Sequence, residues 1–132
     1  MLNNIRTSVD NKKIVAELTY KLHLGPENII ARLAFSYSIA KSPKLKLSEI
    51  KDSKGKEYSM KVLFGNNNIP VYVALVCQKY EIYKTDKDIA RYIKLHVDDG
   101  LEKLQKEYVK NAASNSFDFF MSKIETGLNK IN

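Results

Sequence analysis

His96, Asp98 and Asp99 place an imidazole and two carboxylates within four residues, the donor types that hold a divalent metal. On a helix, Asp98 would point about 200° from His96 and Asp99 about 60° to one side, so the three do not converge on one ion. The run also lies inside an apolar arc, which marks His96 as a structural imidazole bonded to a nearby carboxylate or carbonyl. His23 is the only other histidine. Neither has a nucleophile in its own motif, and Cys-x-x-Cys, His-Glu-x-x-His and a glycine-rich phosphate loop are all missing. Cys77 recurs with Val73 and Tyr80 on an apolar stripe and reads as a small core residue rather than a nucleophile. The surviving enzymatic alternative is a metal-dependent nickase drawing on Asp52, Glu57, Asp98 or Asp99, but no local spacing brings two of these together across segments. No catalytic residue, metal site or cofactor is assigned.

Phosphate contact is the chemistry that the composition favours. The formal charge is +7, and Lys41, Lys44, Lys46, Lys51, Lys54, Lys56 and Lys61 crowd one stretch against only Glu49, Asp52 and Glu57. Lysine carries a mobile point charge that holds a phosphate without reading sequence, so this stretch is a ready phosphate-binding surface. Lys12 and Lys13, on the water side of the first helix, extend it. The alternative is a solvated loop whose charge serves solubility or docking to a protein partner.

These lysines must be carried by a mainly α-helical scaffold. At 132 residues the chain has the size of one domain with a sizeable core. Residues 3–9 alternate as a short strand, with Ile5, Thr7 and Val9 on one side and Arg6 and Ser8 on the other. Asp10 or Asn11 is expected to cap a helix with the stripe Ile14, Val15, Leu18, Leu22. Leu24-Gly25-Pro26 makes a short stiff turn into a second helix. That order matches the start of a ribbon-helix-helix protein, in which Arg6 and Ser8 would be the exposed ribbon residues. The second helix is apolar on two sides: Ile30, Leu33, Ala34 and Tyr37 on one, Phe35 and Ile39 with Arg32 on the other. Burial twice, once against a second copy, is the expectation.

Pro43 stops this helix, and an irregular basic loop follows. Pro70 starts another helix. Thr85 to Asp88 then opens the longest one, where Ile89, Ile93, Val97, Leu101, Leu104 and Tyr108 keep phase across Gly100. A missing side chain at Gly100 would let a second helix approach closely. The compact helical domain is placed at 1–110, and 111–132 reads as a linker with an amphipathic helix built on Phe117, Phe120, Met121, Ile124 and Leu128. A lone cysteine, no leader pattern and no long apolar run make the expectation cytoplasmic, away from any membrane.

Four blocks in this order carry a resemblance: Leu24-Gly25 with Asn28 to Ser36, then Asp52 to Glu57, then Leu63-Phe64-Gly65, then Ala90 to Leu101. Together they resemble the DndE family of bacterial DNA sulfur modification, over about residues 10–109. The resemblance implies a small helical protein that works beside a cysteine desulfurase and other Dnd proteins while a non-bridging phosphate oxygen of DNA is replaced by sulfur. It further implies no sulfur chemistry of its own, a homotetramer, and binding to double-stranded DNA, preferentially nicked, through surface lysines. The family's glycine-containing loop falls on Leu24, Gly25 and Pro26. With Arg32, Phe35 and Ile39, these are the expected subunit-contact residues.

Overall fold

The computed structural model describes residues 4–110 and Ile124. The elements run β1 (Asn4–Arg6), α1 (Val9–Leu22), α2 (Glu27–Lys41), β2 (Glu57–Ser59), α3 (Met60–Phe64), α4 (Ile69–Tyr80) and α5 (Ile89–Lys110), with single 3-10 turns at Leu47–Glu49 and Asn66–Asn68. It is a mainly α fold with a short strand at its N-terminal side, as the patterning implies. The expected C-terminal linker and amphipathic helix at 111–132 lie outside the described residues apart from Ile124.

The helices α2 and α5 form the spine. Their approach is set by Gly100, where a β-carbon would meet the Ala34 carbonyl oxygen at 1.9 Å. Ile93, Val97, Leu101 and Leu104 of α5 are buried, and α5 continues through Gly100 without a break. The apolar phase of the sequence is therefore a single helical face. At its start, Asp86 Oδ1 accepts from the Asp88 amide at 2.8 Å, a local turn that feeds the helix.

The N-terminal strand is shorter than the alternation suggests. Ser8 leaves the strand to cap α1, its hydroxyl accepting from the Asn11 amide at 3.1 Å, so the expected cap at Asp10 or Asn11 is displaced by two to three residues. Val9 consequently starts the helix and is exposed. The antiparallel partner of β1 is β2 of the same chain, in the register Ile5↔Tyr58. Arg6 stays exposed beside Glu57, but Ser8 is buried, so the pair does not form a ribbon face for reading bases. The turn after α1 also differs in detail. His23 takes the left-handed C-cap conformation at φ 55°, and Gly25 supplies a second positive φ of 84° two residues later.

The two apolar sides of α2 are both covered within the chain. Phe35 has no exposed surface and meets Phe64 edge-on at 5.1 Å and Tyr72 at 5.9 Å, while Phe64 and Tyr72 stack at 4.3 Å. Burying a phenylalanine is worth about 1.5–3 kcal/mol, and α3 and α4 supply that burial. This corrects the expected role of Phe35: it has no surface to offer a second copy. Ile39 is half-buried against the same core. Arg32 turns its guanidinium onto the end of α3, donating to the Leu63 carbonyl at 2.6 Å and the Val62 carbonyl at 3.4 Å. It satisfies carbonyls that a five-residue helix leaves open.

Candidate nucleic-acid interface

All nine candidate lysines are exposed: Lys12 and Lys13 on α1, Lys41 at the end of α2, Lys44, Lys46, Lys51, Lys54 and Lys56 between α2 and β2, and Lys61 on α3. The 41–61 stretch is less irregular than its composition suggests, because buried polar groups pin it at two places.

The first anchor lies under Lys54 and Lys56. Gly55 donates its amide to the Thr7 carbonyl at 2.9 Å, Lys56 donates to Thr7 Oγ1 at 2.9 Å, and Thr7 donates back to the Lys56 carbonyl at 2.9 Å. A β-carbon on Gly55 would stand 2.1 Å from the Ser8 carbonyl oxygen, so only glycine lets the turn dock this closely. Asp52 Oδ1 accepts from the Val9 and Lys54 amides, both at 3.0 Å. Those two backbone bonds, with the nearby lysines, hold its carboxyl below the usual range despite some desolvation. Beneath it Lys94 and Asp98, both buried, pair at 2.8 Å. The remaining capacity of the pair is spent on the junction: Lys94 donates to the Asp52 carbonyl at 2.7 Å, and Asp98 Oδ1 accepts from the Ser8 amide at 3.1 Å and Asn11 Nδ2 at 2.8 Å. Hydrogen bonds of this kind are what make a buried ion pair tolerable.

The second anchor lies under Lys44 and Lys46. Ser38 and Ser42 both donate to Asp99 Oδ2, at 2.6 and 2.5 Å. With its one hydrogen committed, Ser38 Oγ must accept from His96 Nδ1 at 2.7 Å. Nε2 is then bare and accepts from the Tyr80 hydroxyl at 2.7 Å, whose oxygen accepts from the Leu45 amide at 2.8 Å. The bookkeeping closes only for a neutral imidazole protonated on Nδ1. Burial, aided by the Lys79 charge, pushes the His96 pKa down to about 4. Lys79 donates to the Ser42 carbonyl at 2.6 Å and to the Ile39 carbonyl at 3.1 Å, while Lys103 donates to Ser42 Oγ at 2.6 Å. Burial, and next the charge of Lys44, lower the Lys79 pKa. Burial also acts against the charged form of Asp99, but the Ser38 and Ser42 hydroxyls and Lys103 outweigh it and keep its carboxyl below the usual range.

His96 is thus structural, as its place in the apolar arc implies, but its partners are hydroxyls rather than a carboxylate or carbonyl. Asp99 bonds the serines and not the imidazole, so Ser38, His96 and Asp99 are not ordered as a nucleophile, its base and an orienting acid. Among the described residues no group of three or more metal-ligating side chains forms, and no helix is long and apolar enough to cross a membrane. Cys77 is half-buried against the core.

The lysines do not all converge. Lys51 lies with Arg6, Arg91 and Lys94 around a groove of about 340 Å³ between β1, the 50–53 turn and the start of α5. Lys56 stands 3.9 Å from Glu27 at a separate hollow before α2, where Glu57 also faces it. Sequence reasoning missed Arg91 and Lys94. Their three-residue spacing on α5 is a visible signal for one helical face, but the partner strand that completes the groove is more than 80 residues away.

The loop proposed for subunit contact is placed as expected for a surface turn: Leu24 is half-buried, Gly25 and Pro26 are exposed.

The family model described as DNA sulphur modification protein DndE matches residues 4–112. The crystal structure of DndE from Escherichia coli B7A, involved in DNA phosphorothioation modification, is similar with a TM-score of 0.62 at 20% identity, covering 79% of this chain and 99% of that one. A glycine-to-lysine mutant of DndE, also involved in DNA phosphorothioation, gives a TM-score of 0.61 at 21% identity, covering 78% of this chain and 98% of that one. No curated protein matches the chain. At these identities the structures speak for the fold, while the family model spans most of the chain. The chain belongs to the DndE family of DNA sulphur-modification proteins.

Proposed function

We propose that the protein is a non-catalytic accessory of DNA phosphorothioation that contacts the phosphates of duplex DNA, nicked duplex included, through its exposed lysines. The observation that carries this reading is the basic 41–61 stretch: seven lysines point to water while the backbone beneath them is tied down by Thr7, Lys94, Tyr80 and Lys79. Holding cations on a fixed backbone lowers the ordering cost of binding a polyanion. An electrostatic rather than catalytic site is supported by the histidine-serine-aspartate cluster among the described residues, whose Ser38 and His96 are buried and whose hydrogen bonds are committed to structure.

The oligomeric part of the proposal rests on the Leu24-Gly25-Pro26 turn. With Phe35 withdrawn into the core, a tetramer contact would be made by this exposed turn, with the half-buried Ile39 and Arg32 at most at its margin. Other Dnd proteins in the cytoplasm are the proposed partners besides DNA. The test is the mass of the pure protein in solution together with its binding to intact and nicked duplex. Tetrameric protein that binds DNA is expected; a monomer that binds neither duplex would undercut both halves. Retained co-purification with a Dnd partner in the absence of DNA binding would favour a scaffold role instead.

A further inference from the structure

The groove between β1 and α5 differs from the rest of the basic surface in a way that lysine counting does not capture. Its polar lining includes Arg6, Lys51, Arg91, Lys94 and Ser53, and among the described residues no carboxylate lines it. The hollow beside Lys56 is lined by Glu27 and Glu57, and the one on the other side of Lys51 by Glu49, Asp98, Asp99 and Glu102, so both repel an anion. Ile5 and Ile50 add apolar wall to the groove, which lowers the local dielectric and strengthens any charge-assisted bond made there.

Each exposed cation of the groove has a carboxylate neighbour that is not part of its lining. Arg6 meets Glu57 at 3.3 Å, Arg91 meets Asp88 at 3.1 Å, and Lys51 meets Glu102. All three cations are about half-exposed, and surface pairs of this type contribute little, so exchanging them for a phosphate costs little. Lys94 is different. It is buried, its charge balanced by Asp98 and a second N–H committed to the Asp52 carbonyl, so it holds the groove wall in place without adding net charge. Two guanidinium forks around one hollow suit the oxygens of a phosphate better than scattered ammonium groups do.

We propose that this groove seats a backbone phosphate of the DNA strand, with Arg6 and Arg91 gripping its oxygens, Lys51 adding to the positive field and the Lys94–Asp98 pair holding the wall. The inference rests on the DNA-contact reading above and locates its principal anchor. Arg6 thereby acts on the backbone and not on base edges, and binding gains a fixed register on the strand without gaining sequence preference.

The test uses the full chain and a short fluorescent duplex, with affinity followed against salt. Arg6→Ala with Arg91→Ala is expected to weaken binding about tenfold or more at low salt and to reduce the slope of log affinity against log salt by about 1, the share of one seated phosphate. Lys106→Ala with Lys110→Ala removes the same charge from exposed positions remote in sequence from the groove, and is expected to change affinity by about twofold or less. Arg6→Lys with Arg91→Lys keeps the charge and is expected to preserve the slope while still losing several-fold in affinity, because the fork is gone. As a measurement independent of variants, titration of the wild-type protein with inorganic phosphate is expected to shift the Nε–H resonances of Arg6 and Arg91 together. If the double alanine variant behaves like the Lys106/Lys110 control, or phosphate moves neither arginine, the groove is not the seat, although the DNA-contact reading stands. If the wild-type protein binds no duplex, both fall.

Discussion

Gly100 faces the backbone of Ala34 so closely that a β-carbon there would lie 1.9 Å from the Ala34 carbonyl oxygen. Backbone cannot step aside as a flexible side chain would, so this contact fixes the spacing of α2 and α5. Gly100→Ala should gain about 1 kcal/mol in helix propensity and lose more through overpacking, for a net destabilisation of about 2 kcal/mol. Urea unfolding measures it; a variant as stable as the wild type would mean that the helices are not clamped here.

His96 makes stability depend on mild acid. Its pKa falls from an ordinary 6.5 to about 4 on folding, so between these values the unfolded chain binds more protons and stability rises with pH. The stabilisation is complete above about pH 6.5, declines as pH falls through the window, and is lost by about pH 4, a change of roughly 3 kcal/mol. Thermal unfolding from pH 4 to 7 should show this slope, and His96→Asn should flatten it while lowering stability at pH 7. An unchanged slope in the variant would assign the acid sensitivity elsewhere.

The Lys94–Asp98 pair should be costly to break from one side only. Lys94→Met leaves the Asp98 carboxylate buried with its Ser8 and Asn11 donors alone, and a loss of about 3 kcal/mol is expected. Adding Asp98→Asn removes the stranded charge and should recover part of that loss. A double variant worse than the sum of the singles would contradict this account of the junction.

Replacing Lys44, Lys46, Lys54 and Lys56 together by Ala should leave unfolding little changed, since all four are exposed, while weakening duplex binding and lowering the salt slope by about 3. Binding that survives the substitution intact would move the interface off this stretch.

How much of this was legible in the sequence differs from element to element. The phase of Ile89 through Leu104 is a local property, and it gave both the continuous α5 and the purpose of Gly100. The two-sided apolar pattern of α2 was equally visible, but periodicity reports that a face is covered without saying by what. Phe64 and Tyr72 of the same chain cover Phe35, where a second copy was the expectation. The strand β2 is three residues long inside a lysine-rich run, too short for alternation to register. The candidate site was half-legible. Its lysines could be counted, whereas the bonds that hold them join residues as far apart as Ser8 and Asp98, and the groove joins Arg6 to Arg91. Pairings of that range depend on the fold and leave no mark in local spacing.

The central claim is that fixed surface cations hold DNA by its phosphates, and the salt dependence of duplex binding by the unmodified protein tests it most directly. Log affinity is expected to fall linearly with log salt, with a slope of about −4 or steeper, and to be indifferent to base sequence. Affinity that stays flat as salt rises, or no binding even at low salt, would contradict the account.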